Sequence, residues 1–149
     1  MKIKKSTLIW IAIIIIAGIF FFRGKITGNV VGGNSGTMEI PLADISENAE
    51  WYEYQSNGKT IRFFVVKAGD GSVKTAFDAC DVCYESKKGY SQQGDVMVCN
   101  NCGNKYPISG LGTENEKGGG CWPGYLPSKI VGDKLIIKNS DIEKGAYRF

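Results

Sequence analysis

Residues 80–102 read CDVCYESKKGYSQQGDVMVCNNC. Two C-x-x-C pairs, Cys80/Cys83 and Cys99/Cys102, enclose the fifteen residues 84–98, which is the spacing of a four-thiolate metal site. Two cysteines three apart on a tight loop aim both sulfurs at one centre. A second such loop, returned by a hairpin, supplies the other half of a tetrahedron. A fifth cysteine, Cys121, stands later in GGGCWPG. Four sulfurs already complete a site, so Cys121 is a buried structural cysteine, a free thiol beside the site, or a further ligand. Gly118, Gly119 and Gly120 are expected to let the backbone approach closely there, and Trp122-Pro123 to stiffen the chain beyond it.

On either side of this stretch the chain reads as short strands between turn signals. Residues 51–55 alternate aromatic and polar side chains, Ser56-Asn57-Gly58-Lys59 turns the chain, and residues 60–68 (TIRFFVVKA) return it. That is a hairpin with Asn-Gly as its mechanism. Further strands are expected at 39–42, 73–77, 95–98, 105–108 and 134–138, with a loop or single helical turn at 44–49 and a turn at Gln92-Gln93-Gly94. No stretch after Phe22 carries a sustained helical period. Many short strands with turns every eight to twelve residues point to an all-β domain, a small antiparallel β-sandwich or barrel.

Charge excludes one class of partner. All 15 acidic residues lie at Glu39 or later, while five of the 18 basic residues lie at or before Lys25. Residues 37–149 hold 13 basic and 15 acidic groups, a net charge of −2, which gives no reason to expect nucleic-acid binding. The chain has no histidine. This excludes His-ligated zinc, a His-ligated Rieske cluster, a C-x-x-C-H haem attachment and any Ser-His or Cys-His catalytic pair.

The N-terminal part reads as a membrane anchor. A basic flank, MKIKK, precedes the uninterrupted apolar run TLIWIAIIIIAGIFFF at 7–22, closed by Arg23. The 17 residues between Lys5 and Arg23 are the lower edge of what spans a hydrocarbon core of about 30 Å. Snorkelling lysine and arginine side chains can make up the shortfall. A cleaved signal peptide is the alternative, but the run offers no good A-x-A site and ends in three phenylalanines. Residues 1–23 are therefore expected to form one transmembrane helix, and 24–38 (GKITGNVVGGNSGTM) a flexible tether to a domain at 39–149. The charge difference across the segment favours an extracytoplasmic C-terminal domain on a single-pass chain in the cell membrane.

Three chemistries fit the cysteines: structural zinc, redox iron or an iron–sulfur cluster, and disulfides. A C-x-x-C disulfide closes a small loop and constrains little of the unfolded chain. A structural zinc is worth about 10–16 kcal/mol in small domains, against about 2–4 kcal/mol for a disulfide. Zinc knuckles typically place Gly just after the second cysteine, as Cys102-Gly103 does and Cys83-Tyr84 does not. The thioredoxin-like use of a C-x-x-C pair expects a βαβ context that is not seen.

Residues 63–108, FFVVKAGDGSVKTAFDACDVCYESKKGYSQQGDVMVCNNCGNKYPI, and the later G-G-C closely resemble the FtrD-like membrane iron–sulfur family. The resemblance covers most of 40–149 and rests on A-F-D-A-C-D-V-C, K-K-G-Y, C-N-N-C-G and G-G-C. It implies a membrane-associated iron–sulfur protein, in some members linked to ferrous-iron uptake with a permease. Cys80, Cys83, Cys99 and Cys102 match the family's paired cysteines and Cys121 its G-G-C cysteine. Many members carry several membrane helices before this domain, whereas this sequence offers one apolar run. The order of motifs is also similar to a Rieske-type domain, in which each loop ordinarily supplies one Cys and one His. Cys83 and Cys102 would stand near the His positions, on an antiparallel β-sandwich with the metal at one exposed end and residues 118–123 as a lid.

The expected function is thus electron transfer by an iron–sulfur cluster or iron held by these cysteines, without turnover as an enzyme. Its expected partners are the membrane and a permease or redox protein; no small-molecule substrate is indicated. Zinc in a structural interaction domain and thiol–disulfide chemistry are the alternatives. Met97 is expected in the core, and Tyr52, Tyr54, Phe63, Phe64 and Tyr90 as core or site walls. Asp78 and Asp81 are expected to cap loops, and Lys87-Lys88 to form a solvated turn.

Overall fold

The computed structural model describes residues 29–30 and 36–149. The expected anchor at 1–23 lies outside the described residues, as does most of the expected tether; Thr37 and Met38, at the tether's end, already belong to a strand. Among the described residues no helix is long and apolar enough to cross a membrane.

The described residues are mostly β, in three small sheets. In the central sheet β1 (Asn29–Val30) runs parallel to β3 (Glu50–Ser56), which pairs antiparallel with β4 (Lys59–Lys67), and β4 with β5 (Val73–Phe77). The second sheet has the order β2 (Thr37–Pro41), β10 (Lys134–Lys138), β9 (Lys129–Val131), all antiparallel. The third is the antiparallel meander β6 (Tyr90–Gln93), β7 (Val96–Cys99), β8 (Lys105–Pro107). One helix, α1 (Asn139–Lys144), follows β10.

The β3–β4 hairpin closes as the Asn-Gly signal requires. Asn57 and Gly58 both have positive φ, 50° and 75°, the pattern of a type I′ turn that matches the twist of the strands.

Strand β4 explains why there are three sheets where two were expected. Its run Phe63-Phe64-Val65-Val66 is buried throughout. Successive side chains on a strand point to opposite faces. Ile61, Phe63 and Val65 therefore join Met38 and Ile40 of β2, Leu135 and Ile137 of β10, and Ile142 of α1 in one core. Phe64 and Val66 join Tyr90 of β6, Met97 and Cys99 of β7, Ile108 and Cys80 in a second. A continuous apolar run in a short strand signals burial on both faces. The central sheet is a shared middle layer, with the cysteine-bearing sheet on one side.

Three strands and the helix depart from the expected pattern, the first being β1, whose Asn29 and Val30 pair with β3 inside the expected tether. Gln92 and Gln93 pair with Met97 and Val96, so they are strand, and the turn is Gly94-Asp95. The polar YSQQ lacks an apolar alternation because Gln92 serves the backbone. Its side-chain carbonyl accepts from Ala49 N–H at 2.6 Å, and its amide donates to Glu47 O at 2.7 Å. Strand β9 is exposed along its length and is held by its register with β10. Helix α1 has 6 residues, too few to show a period, and buries Ile142.

Phe63→Ala is expected to cost about 3–5 kcal/mol of stability, the usual loss for emptying a large buried aromatic site. Ile130→Thr on exposed β9 should stay within about 0.5 kcal/mol of wild type. Urea unfolding followed by tryptophan fluorescence checks both.

Candidate metal centre

Three loops carry the five cysteines to one end of the second core. The first joins β5 to β6 and holds Cys80 and Cys83. The second is the β7–β8 turn, with Cys99 at the end of the strand and Cys102 in the turn. The third comes after Leu111 and holds Cys121. The sulfurs of Cys80, Cys83 and Cys121 lie within 4.8 Å of one another, and so do those of Cys83, Cys99 and Cys102. Cys83 belongs to both groups. Its sulfur stands 3.5 Å from that of Cys121. The structure thus brings every cysteine singled out in the sequence to one place, each as a free thiol.

Local hydrogen bonds shape each loop. In the first, Cys83 N–H donates to Cys80 Sγ at 2.9 Å. In the second, Cys99 N–H donates to Asn104 O at 2.9 Å and Gly103 N–H to Cys99 O at 2.8 Å, closing a tight knuckle. Backbone donors of Asn101 and Cys102 face the Cys99 sulfur, and that of Asn104 faces Cys102. Such N–H donors stabilise thiolates and tune a metal held by them.

Asn100 joins the first two loops. Its N–H donates to Gly89 O at 3.0 Å, its side-chain amide to Lys88 O at 3.0 Å, and its side-chain carbonyl accepts from Ser91 Oγ at 2.9 Å. Asp78, almost wholly buried, accepts from Tyr90 N–H at 2.7 Å and pairs with Arg62 at 3.4 Å. Burial raises its pKa, against the Tyr90 N–H and the Arg62 charge. Arg62 reaches the site because it shares a β4 face with Phe64. Asp81 accepts from Tyr147 Oη, from Arg148 and from Gly119 N–H. Burial works to raise its pKa, but these donors outweigh it and the pKa is lowered. Both aspartates cap loops, as expected, and Lys87 and Lys88 are exposed.

The third loop corrects one expectation. A Cβ on Gly118, Gly119 or Gly120 would meet nothing within 4 Å, so no close approach requires them. Their φ angles are 68°, 81° and 71°. Glycine populates that left-handed region without the steric cost other residues bear, and three in a row let the chain turn Cys121 toward the other sulfurs. Asn115 anchors the loop from beneath, donating to Pro123 O at 2.9 Å and accepting from Gly112 N–H at 2.7 Å.

An aromatic wall closes the far side. Trp122 and Tyr106 have ring centroids 4.8 Å apart, and Tyr106 meets Tyr90 edge-on at 6.5 Å. Tyr90 donates its hydroxyl to Cys121 O, and the same hydroxyl lies within hydrogen-bonding reach of the Cys80 sulfur. Burial, then the charge of Cys80, raises the Tyr90 pKa, so the phenol stays a donor. Tyr106, Asn100, Asn115 and Arg148 are site residues that sequence reasoning did not pick out, and Trp122 was expected only to stiffen the chain. Asn100 lay inside C-N-N-C and was legible as a turn residue; Arg148 carried no local signal.

The sulfurs differ in exposure. Cys80 and Cys99 are buried, Cys83 and Cys121 half-buried, and Cys102 exposed. Burial raises the Cys99 pKa. The Asn104 N–H, ahead of the neighbouring thiols, lowers that of Cys102. Cys121 is pushed up to about 12 by burial and by hydrogen bonding and negative charge from the cysteines around it. Thiolates packed this closely repel one another unless a cation lies among them. An all-sulfur donor set is soft and suits zinc or iron–sulfur clusters. The residues present fit such a group.

Fold and site together define a small, mostly β domain whose five cysteines converge in groups that could hold a metal. The family described as "Membrane iron-sulfur containing protein FtrD-like" matches residues 45–149, and the chain belongs to it. No curated protein and no solved structure shows a significant match. The Rieske-like resemblance of the motif order therefore rests on the sequence alone.

Because Cys83 belongs to both sulfur groups, Cys83→Ser is expected to reduce bound metal per chain further than Cys121→Ser does. Metal analysis of both variants after dialysis against a chelator measures the difference.

Proposed function

We propose that the chain is a membrane-anchored electron carrier. It holds an iron–sulfur centre on Cys80, Cys83, Cys99 and Cys102, with Cys121 as a further sulfur from the third loop. The observation that carries this is the convergence of five cysteine sulfurs from three loops, in a chain without histidine and within a membrane iron–sulfur family. An all-cysteine donor set suits an iron–sulfur cluster as well as zinc.

Bound there, an iron–sulfur cluster supplies a one-electron couple. The chain's residues set the conditions. Cys80 and Cys99 are held out of water against Phe64 and Met97. The Tyr90 hydroxyl and the knuckle N–H groups face the sulfurs. Exposed Cys102 makes the edge at which a redox partner could come close. The apolar run at 7–22 would hold the domain at the outer face of the cell membrane. A role beside a permease in iron uptake is proposed from the family resemblance alone.

Structural zinc is the second reading, favoured by one observation: the Cys99–Gly103 turn carries the N–H···S pattern and the glycine of a zinc knuckle.

Full-length protein purified without oxygen is expected to contain iron and sulfide, with visible bands that bleach on reduction. Replacing two neutral imidazoles by thiolates adds negative charge and stabilises the oxidised form. The potential should therefore lie nearer the roughly −400 mV of four-cysteine plant-type clusters than the Rieske range of about −150 to +300 mV. It should also lack the titration of ligand histidines. One equivalent of zinc and a colourless protein would replace the proposal with the structural reading.

A further inference from the structure

We infer that Asp81 is a positioning residue that holds the third loop, and with it Cys121, closed over the other cysteines. The inference rests on the metal-holding role above for its purpose, while its geometry lies wholly in the chain. Asp81 sits between Cys80 and Cys83, and its carboxylate serves two distant segments at once. Oδ2 accepts from Gly119 N–H at 3.1 Å. Oδ1 accepts from Tyr147 Oη at 2.8 Å and from Arg148 Nε and Nη2 at 3.0 and 2.6 Å. One side chain thus ties the first loop, the third loop and the C-terminal turn.

The anchor behind Asp81 is itself packed in place. Arg148 is buried, with its guanidinium 5.3 Å from the Phe77 ring centre and 4.3 Å from that of Tyr147. Phe77 belongs to the core of the sandwich. A charged fork gripped in this way fixes its carboxylate partner in direction as well as distance.

The loop it holds is weakly held otherwise. Gly118, Gly119 and Gly120 are exposed, and a Cβ on any of them would meet nothing within 4 Å. Cys121 itself is held by Tyr90 on its carbonyl, and the chain beyond it by Asn115 on Pro123 O. On the glycine arm, the described hydrogen bonds are Gly118 N–H to Asn115 O at 3.2 Å and Gly119 N–H to Asp81. Gly119 lies two residues before Cys121, so release at Asp81 frees the arm that aims the Cys121 sulfur. Asp81 thus fixes the arm that leads into Cys121 from the loop that carries Cys80 and Cys83, while Tyr90 holds the Cys121 carbonyl itself.

Thiol labelling of the metal-free, reduced full chain in detergent tests this without any cluster. Each cysteine's iodoacetamide reaction rate is followed by peptide mass spectrometry in wild type, Asp81→Asn and Asp81→Ala. Losing a hydrogen bond to a charged acceptor should speed Cys121 about tenfold in Asp81→Ala. Asp81→Asn, which keeps an oxygen for Gly119 N–H, should fall between that variant and wild type. Cys80 and Cys99 should stay within about twofold of wild type. An unchanged Cys121 rate in Asp81→Ala overturns the inference. So does an equal rise at Cys80 and Cys99, which would mean that the whole domain had opened. If Asp81→Ala does not fold, Asp81→Asn decides by the same comparison. Absence of iron from wild type would remove the electron-transfer proposal and leave this result standing.

Discussion

Phe63 and Phe64 are neighbours in the chain and point into different cores. That single constraint, a strand buried on both faces, organises the molecule. Burying a large apolar side chain is worth roughly 1.5–3 kcal/mol, and β4 does this in both directions. One face docks on the sheet of β2, β9 and β10, and the two share one core. The other docks on the small β6–β8 meander, which has too few apolar residues to stand alone. The meander borrows its stability from β4, and it carries Cys99 and one wall of the site. Arg62, on the same face of β4, extends that support to the first loop through Asp78.

With the meander fixed, the cysteine loops are free to be irregular. Each is closed by its own short-range hydrogen bonds and then tied to another loop by a polar side chain: Asn100, Asp81 or Tyr90. Among the described residues no buried side-chain nitrogen or oxygen lacks a partner. The sulfurs accept backbone N–H donors as well, Cys83 N–H on Cys80 Sγ among them. They crowd one another, and burial with mutual charge drives the Cys121 pKa up. A cation among them turns repulsion into binding, which is the physical reason to place a metal there.

Much of this was legible in the sequence, for identifiable reasons. The cysteine spacing, the Asn57-Gly58 turn and the β4 run are local signals with local causes, and each lies where it was expected. Strands β6 and β9 were missed because their positions are set by partners rather than by their own alternation. The third sheet was missed because the two-faced burial of β4 can be seen only once its neighbours are known. Gly118, Gly119 and Gly120 were noticed, but their need is a left-handed backbone rather than close approach. Arg148 was invisible: an arginine next to the last residue acquires a role only when the fold brings it to Asp81, 67 positions away.

The most direct test of a cysteine-held iron–sulfur centre is X-ray absorption at the iron edge, on full-length protein purified without oxygen. The expected spectrum has a first shell of sulfur alone and a short iron–iron vector from neighbouring atoms of one cluster. A protein that carries no iron would contradict it. So would iron in a shell of oxygen or nitrogen, since the five sulfurs would then have converged for some other purpose.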